Sequence, residues 1–289
     1  MRPLPLLAAL AACASSQSAN VPIDTDLRRD ARAGHLAYVQ ERPLEAITQY
    51  RAALVRAEAR DDLPAIEDFT YNIAVAQLQA GQPAAALDTV RMLRAELARR
   101  GAAGFPELDL VEATALYRTG RNTQADILAA RVQSSGDANA ASRASFLRGL
   151  IADDAGDVRG LNAALLALGK PLSREQEADA SELQARLLLR TGHPAAARMQ
   201  AESTAEQRRE LIDYRGVARA LALAAASAQR AGDPARAADL YLRAGRSAAA
   251  QGDSANARLW LHHAITSSTD PALLRDAQQI LAHTADTGW

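Results

Sequence analysis

The sequence predicts an all-α protein built as a solenoid of stacked helical hairpins. Three observations carry that expectation. Hydrophobic residues are 48% of the chain, aromatics only 4%, and alanine dominates the apolar share; alanine is the best helix former and the easiest residue to bury between close helices. A short pattern headed by glycine recurs, and from Glu41 to Gly232 its copies are spaced by 36 to 40 residues, the length of one helical hairpin. Prolines and alanines hold fixed places inside each copy.

Each part of the pattern has a mechanical reason. The copies are "GQPAAALDTV" from Gly81, "GRNTQADILA" from Gly120, "GDVRGLNAAL" from Gly156, "GHPAAARMQA" from Gly192, "GDPARAADLY" from Gly232 and "GDSANARLWL" from Gly252, with "ERPLEAITQYRAAL" from Glu41 as an earlier version. The leading glycine takes the left-handed backbone that closes a helix. Pro43, Pro83, Pro194 and Pro234 fall in the first turn of the next helix, where a missing N–H is harmless. Ala46, Ala86, Ala125, Ala197, Ala237 and Ala257 let that second helix approach the first. Tyr50, Val90, Tyr241 and Leu261, one turn further on, fill the space between helices. The copy from Gly156 carries Leu161 in place of the alanine, and the last spacing, Gly232 to Gly252, is 20 residues, so one helix separates those two turns.

This arrangement resembles the tetratricopeptide repeat (TPR), over roughly residues 27 to 284. The second-helix pattern is matched through Ala46-Tyr50-Ala53 and Ala237-Tyr241-Ala244. Gly34, Ala74, Ala113, Gly149, Ala185 and Ala225 fall where the family's first helices carry Gly or Ala, although no Trp fills the family's Trp position. The resemblance implies a right-handed helical-hairpin solenoid, a TPR-like superhelix with a concave groove for a partner's peptide or helix. Carrying over the family's groove-lining positions gives Arg28, His35, Tyr38, Tyr71, Gln79, Tyr117, Arg118, Arg186, Arg190, Arg219 and Arg230 as the candidate partner-binding residues. The groove then joins tyrosines toward its N-terminal half to arginines toward its C-terminal half. Both types are enriched at binding hot spots, and arginine favours carboxylates. The lysines and asparagines of the family's chaperone-tail clamp are absent, so binding of such tails is not implied.

Before the repeats, Met1-Arg2 supplies a positive charge, Pro3 to Ala12 is apolar, and small polar residues follow. That is the plan of a secretory signal peptide. Leu10-Ala11-Ala12-Cys13 resembles the lipobox of bacterial lipoprotein precursors, which implies cleavage before Cys13 and lipidation of its thiol. The expected organisation is a signal peptide over 1–12, a lipidated Cys13 and flexible tether over 13–25, and the repeat domain over 26–289. Asp24, Thr25 or Asp26 is expected to cap the first repeat helix. Ala14 after the cysteine, rather than Asp, implies the periplasmic face of the outer membrane. The 12 residues before Cys13 are fewer than a signal peptide usually has.

Composition and motif absence narrow the function. Thirty-three Lys and Arg against 34 Asp and Glu give a net charge of −1, which offers no general footprint for nucleic acid. One cysteine excludes an internal disulfide and a cysteine zinc cluster. No phosphate loop, dinucleotide fingerprint or H-E-x-x-H occurs. His262 and His263 are adjacent and point apart, and His35, His193 and His283 lie in different repeats. "GDS" at Gly252-Asp253-Ser254 is similar to the nucleophile block of GDSL-type hydrolases, with His283 as a conceivable base, but it sits at a repeat turn where Ser254 is expected to be a helix N-cap. Asp153-Asp154, at a helix end, is expected on the surface. The expectation is therefore a non-catalytic, membrane-anchored protein–protein interaction scaffold of a Gram-negative envelope, with protein partners, no cofactor, no metal and no nucleic acid. Two alternatives are a soluble periplasmic or cytoplasmic helical-repeat enzyme or ligand-binding protein, and a regulatory partner of a peptidoglycan enzyme.

Overall fold

The computed structural model describes residues 24–286. The expected signal peptide, Cys13 and most of the tether lie outside them. Fourteen α-helices follow one another among the described residues, and no strand occurs there. They pair as α1 (Thr25–Val39) with α2 (Pro43–Ala59), α3 (Leu63–Gln79) with α4 (Pro83–Arg99), α5 (Pro106–Arg118) with α6 (Asn122–Gln133), and α7 (Ala138–Asp154) with α8 (Val158–Leu168). α9 (Arg174–Arg190) pairs with α10 (Pro194–Glu210), α11 (Tyr214–Arg230) with α12 (Pro234–Ala250), and α13 (Ser254–Ser267) with α14 (Pro271–Asp286). The all-α helical-hairpin solenoid is thus observed.

Local chemistry sets the helix boundaries. Asp24, of the three expected candidates, caps α1 by accepting from the Leu27 N–H. Asp62, Asp137, Asp157, Asp213, Asp233 and Asp253 do the same for α3, α7, α8, α11, α12 and α13. Ser254 is therefore not the cap expected of it: Asp253 accepts from Asn256 N–H, and Ser254 is the first helical residue. A carboxylate at that place is charged as well as accepting, so it also complements the positive end of the helix. The repeat glycines take positive φ as expected, and Glu41, which stands in a glycine position, takes φ 57° all the same.

The small residues are where the helices touch. Ala46, Ala86, Ala125, Ala197, Ala237 and Ala257 are fully buried, and so is Leu161 in the divergent copy. A Cβ on Gly34 would lie 2.8 Å from the Tyr50 ring, and one on Gly149 would lie 2.5 Å from Leu183. The apolar interior runs along the chain as four overlapping clusters, across α1–α3, α3–α7, α7–α9 and α9–α14. Each hairpin therefore rests on its neighbours, as in a solenoid.

Candidate partner-binding lumen

The first helices α7, α9, α11 and α13 line one concave pocket. Four of the sequence candidates converge there. Arg186 and Arg190 on α9 and Arg219 and Arg230 on α11 enclose its volume of about 310 Å³. Asp153 at the end of α7 and Trp260 on α13 complete its polar and aromatic walls, and Leu189, Ala222, Leu223 and Ala226 supply apolar floor. Arg230 is exposed there and makes no ion pair among the described residues.

Beneath the pocket lies a network that sequence reasoning missed. Glu182 on α9 has no accessible surface, yet three guanidiniums reach it. Arg219 grips it with two bonds of 2.6 and 2.9 Å, Arg186 approaches to 3.1 Å and Arg208 to 3.2 Å. Burial alone would raise the Glu182 pKa. The charge and hydrogen bonds of Arg219, then the charges of Arg186 and Arg208, outweigh it and hold the carboxyl well below its usual range. Arg208, itself buried, also bonds Asp179 at 2.6 Å and Asp213 at 3.1 Å. Arg208 and Arg219 both lie over the Phe146 ring, at 5.4 and 5.5 Å from its centroid.

Asp153 departs from the surface position expected of it. It is buried and accepts from Arg186 and Arg190, each at 2.6 Å. Its helix ends where α9 passes, and α9 presents two arginines one turn apart to that carboxylate. Asp154 beside it accepts from the Tyr117 hydroxyl at 2.8 Å. Burial, followed by the charge of Asp154, pushes the Tyr117 hydroxyl pKa up, so it stays protonated and donating.

The other candidates form a second group or stand alone. Tyr38 on α1 and Tyr71 on α3 are half-buried, and both feel the exposed Arg143 of α7. Tyr71 packs on Phe105 with ring centroids 5.6 Å apart. Gln79 contributes its backbone carbonyl, which accepts from Arg215, and its side-chain Oε1 is buried with no hydrogen-bond partner among the described residues. Arg118 donates to Leu78 O at 2.5 Å. Protein surrounds Arg118 although part of it meets solvent; that burial, reinforced by the cations of Arg215 and Arg219, lowers its pKa to about 10. Arg28 and His35 are exposed on α1, and among the described residues their side chains make no hydrogen bond or ion pair.

The remaining sequence features have plain packing roles. His263 stacks on Tyr241 with centroids 5.0 Å apart. His283 Nδ1 lies 2.7 Å from Gln279 O, one turn back on its own helix. Among the described residues no His, Cys, Asp and Glu converge as a metal site, and no helix is long and apolar enough to cross a membrane.

No protein-family model matches the chain, and no curated protein compared with it does. Solved structures do resemble it. A tetratricopeptide repeat protein from Parabacteroides merdae aligns over 90% of this chain and 99% of its own, with a TM-score of 0.50 and 16% identity. The fold is that of tetratricopeptide-repeat proteins. The Rap conjugation gene regulator of plasmid pLS20, solved in complex with the Phr* peptide, aligns over 96% of this chain and 82% of its own, with a TM-score of 0.59 and 16% identity. A Rap protein complexed with competence and sporulation factor aligns over 90% and 85%, with a TM-score of 0.54 and 11% identity. At these identities the likeness concerns architecture alone.

Proposed function

We propose that this protein is a non-catalytic interaction scaffold that takes an extended, acidic segment of a protein partner along its concave face. The arginine pocket carries the reading. Four guanidiniums meet there with a tryptophan and an apolar floor, while Asp153 and Glu182 are the carboxylates that answer them. The remaining positive charge and the unpaired Arg230 suit carboxylates on a peptide. Tyr38, Tyr71 and Arg143 would continue the contact toward the N-terminal hairpins. Support from architecture is that two solved structures of similar fold hold the Phr* peptide and competence and sporulation factor.

Selection of a random-peptide display library on the full chain tests this. Enriched peptides are expected to be rich in Asp and Glu, and to bind the Arg190→Ala/Arg230→Ala variant about tenfold more weakly. Enrichment without acidic residues, or equal affinity for the variant, goes against it. We further propose that Cys13 carries a lipid that anchors the scaffold to the periplasmic face of an outer membrane, on the strength of its lipobox-like setting. Labelled palmitate should enter the protein and be lost in Cys13→Ala; label that persists in the variant sinks the anchor.

A further inference from the structure

The solenoid curls until it meets itself. Arg215, at the start of α11, donates from Nε and Nη2 to Gln79 O at the end of α3, at 3.1 and 2.9 Å, across 136 residues of sequence. Its third nitrogen pairs with Asp253, the cap of α13, at 3.1 Å. Arg118, from α5, reaches the preceding carbonyl, Leu78 O. A Cβ added at Gly81, in the turn after α3, would lie 3.1 Å from Arg215 Nη2 and 3.9 Å from Gly252 O. On the same side, Glu41 feels the charges of Asp213 and Arg215. Two arginines therefore cover the C-terminal end of α3, where carbonyls lack intrahelical partners and carry the negative end of the helix dipole.

What the seam lacks is as informative. None of the four apolar clusters contains residues of both α1–α4 and α11–α13. Closure rests on directional polar contacts to a neutral carbonyl, whereas each junction between successive hairpins also carries buried apolar side chains. A polar seam exchanges its bonds for water when it opens and exposes little apolar surface. A carboxylate is also a stronger acceptor for a guanidinium than a neutral carbonyl.

We infer that Arg215 is a latch: the solenoid opens and closes at the contact between the α3–α4 turn and the α11 and α13 starts, and an acidic partner segment opens it by drawing Arg215 off the Gln79 carbonyl. Closed, the latch makes the concave face a lumen with a lateral gate. The latch follows from the seam alone; its release by an acidic segment rests on the proposed function.

Pulsed electron–electron resonance on the full chain tests both parts. Spin labels go on Gln82→Cys and Ala255→Cys, exposed residues on the two sides of the seam, with Cys13→Ala so that no other thiol reacts. The native seam is expected to give a single short distance, and Arg215→Ala a second, longer population. Arg215→Lys, which keeps the charge facing Asp253 but loses the two-donor grip on one carbonyl, should give the same shift if Arg215→Ala does not fold. Identical distributions in native and variant chains overturn the latch. Adding a glutamate decapeptide to the native seam should move it toward the long population; a seam that opens in the variants but ignores the peptide overturns the release step and leaves the latch standing.

Discussion

Tyr71 and Glu182 occupy the same place in their repeats, three residues before the small residue of the first helix, Ala74 in α3 and Ala185 in α9. In α3 the place holds an aromatic ring packed on Phe105. In α7 it holds Phe146, which lies under two guanidiniums. In α9 it holds a carboxylate with no accessible surface. The N-terminal hairpins thus close their inner layer with apolar contact, and the α7–α11 region closes the same layer with charge. Apolar contact is tolerant of its neighbours, but a buried charge must be answered residue by residue. The answering residues, Arg186, Arg208 and Arg219, come from three helices, so the network ties the hairpins below the arginine pocket into one rigid floor. A pocket meant to attract anions needs guanidiniums held in place, and Glu182 holds two of those that line it.

The largest break in that comparison is Glu182→Leu. It leaves Arg186, Arg208 and Arg219 short of their shared acceptor and should cost about 3–5 kcal/mol in urea unfolding. Tyr71→Leu, at the equivalent place, should cost about 1 kcal/mol because an apolar neighbourhood accepts another apolar side chain. Equal losses would mean that the two layers are not built differently. The pH dependence follows the same line. The Glu182 pKa is lowered in the fold from its ordinary 4.5, so the stability it contributes is complete above that value and is lost as pH falls below it. Glu182→Gln should remove that part of the acid sensitivity, seen as a flatter plot of unfolding free energy against pH.

A smaller break uses the glycines at the small-residue position. Gly34→Ala pushes a methyl into the Tyr50 ring, and Gly149→Ala pushes one into Leu183, which is fully buried and has little room to turn. Overpacking should cost about 1–3 kcal/mol, offset by the about 0.5–1 kcal/mol that Ala gains over Gly in a helix, for a net loss of about 1–2 kcal/mol, although four other repeats carry Ala in the same place. Thermal melts would show it, and an unchanged midpoint for either would indicate that the two helices can separate by a few tenths of an ångström.

Sequence pattern reached the fold because the repeat is written in short-range residues. Gly81, Pro83 and Ala86 lie within six positions, and each acts on the turn or the helix beside it. The groove positions that the repeat resemblance implies named four arginines on two first helices, Arg186 and Arg190 on α9 and Arg219 and Arg230 on α11, which the fold brings to one pocket. Sequence pattern did not reach Glu182, because "SELQARLLLR" reads as an ordinary polar helix face until Arg208 and Arg219, 26 and 37 residues away, are folded onto it. Arg215 was out of reach for the same reason, since its carbonyl partner lies 136 residues back and only the curl of the whole solenoid brings them together. Asp153 reads as a surface residue because helix ends usually are exposed, whereas α9 runs across that end and brings Arg186 and Arg190 to it.

The smallest expected effect concerns the edge of the charged region. The turns that lead from one hairpin to the next carry a left-handed residue, a glycine at Gly101, Gly136, Gly169 and Gly252, but Asp61 and Ile212 at the other two. Ile212 has φ 58° and is half-exposed. A β-branched side chain in that conformation crowds the following carbonyl, at about 1–2 kcal/mol. The turn nevertheless delivers Asp213, which caps α11 and pairs with Arg208, so the strained residue sits directly beside the buried network. Ile212→Gly relieves the crowding and loses about 0.5–1 kcal/mol to the freer unfolded chain, leaving a net gain of about 0.5–1 kcal/mol in urea unfolding. A loss instead would show that the Ile212 side chain contributes more through contact than its backbone costs, and that the charged region depends on apolar support at its rim as the N-terminal hairpins do throughout.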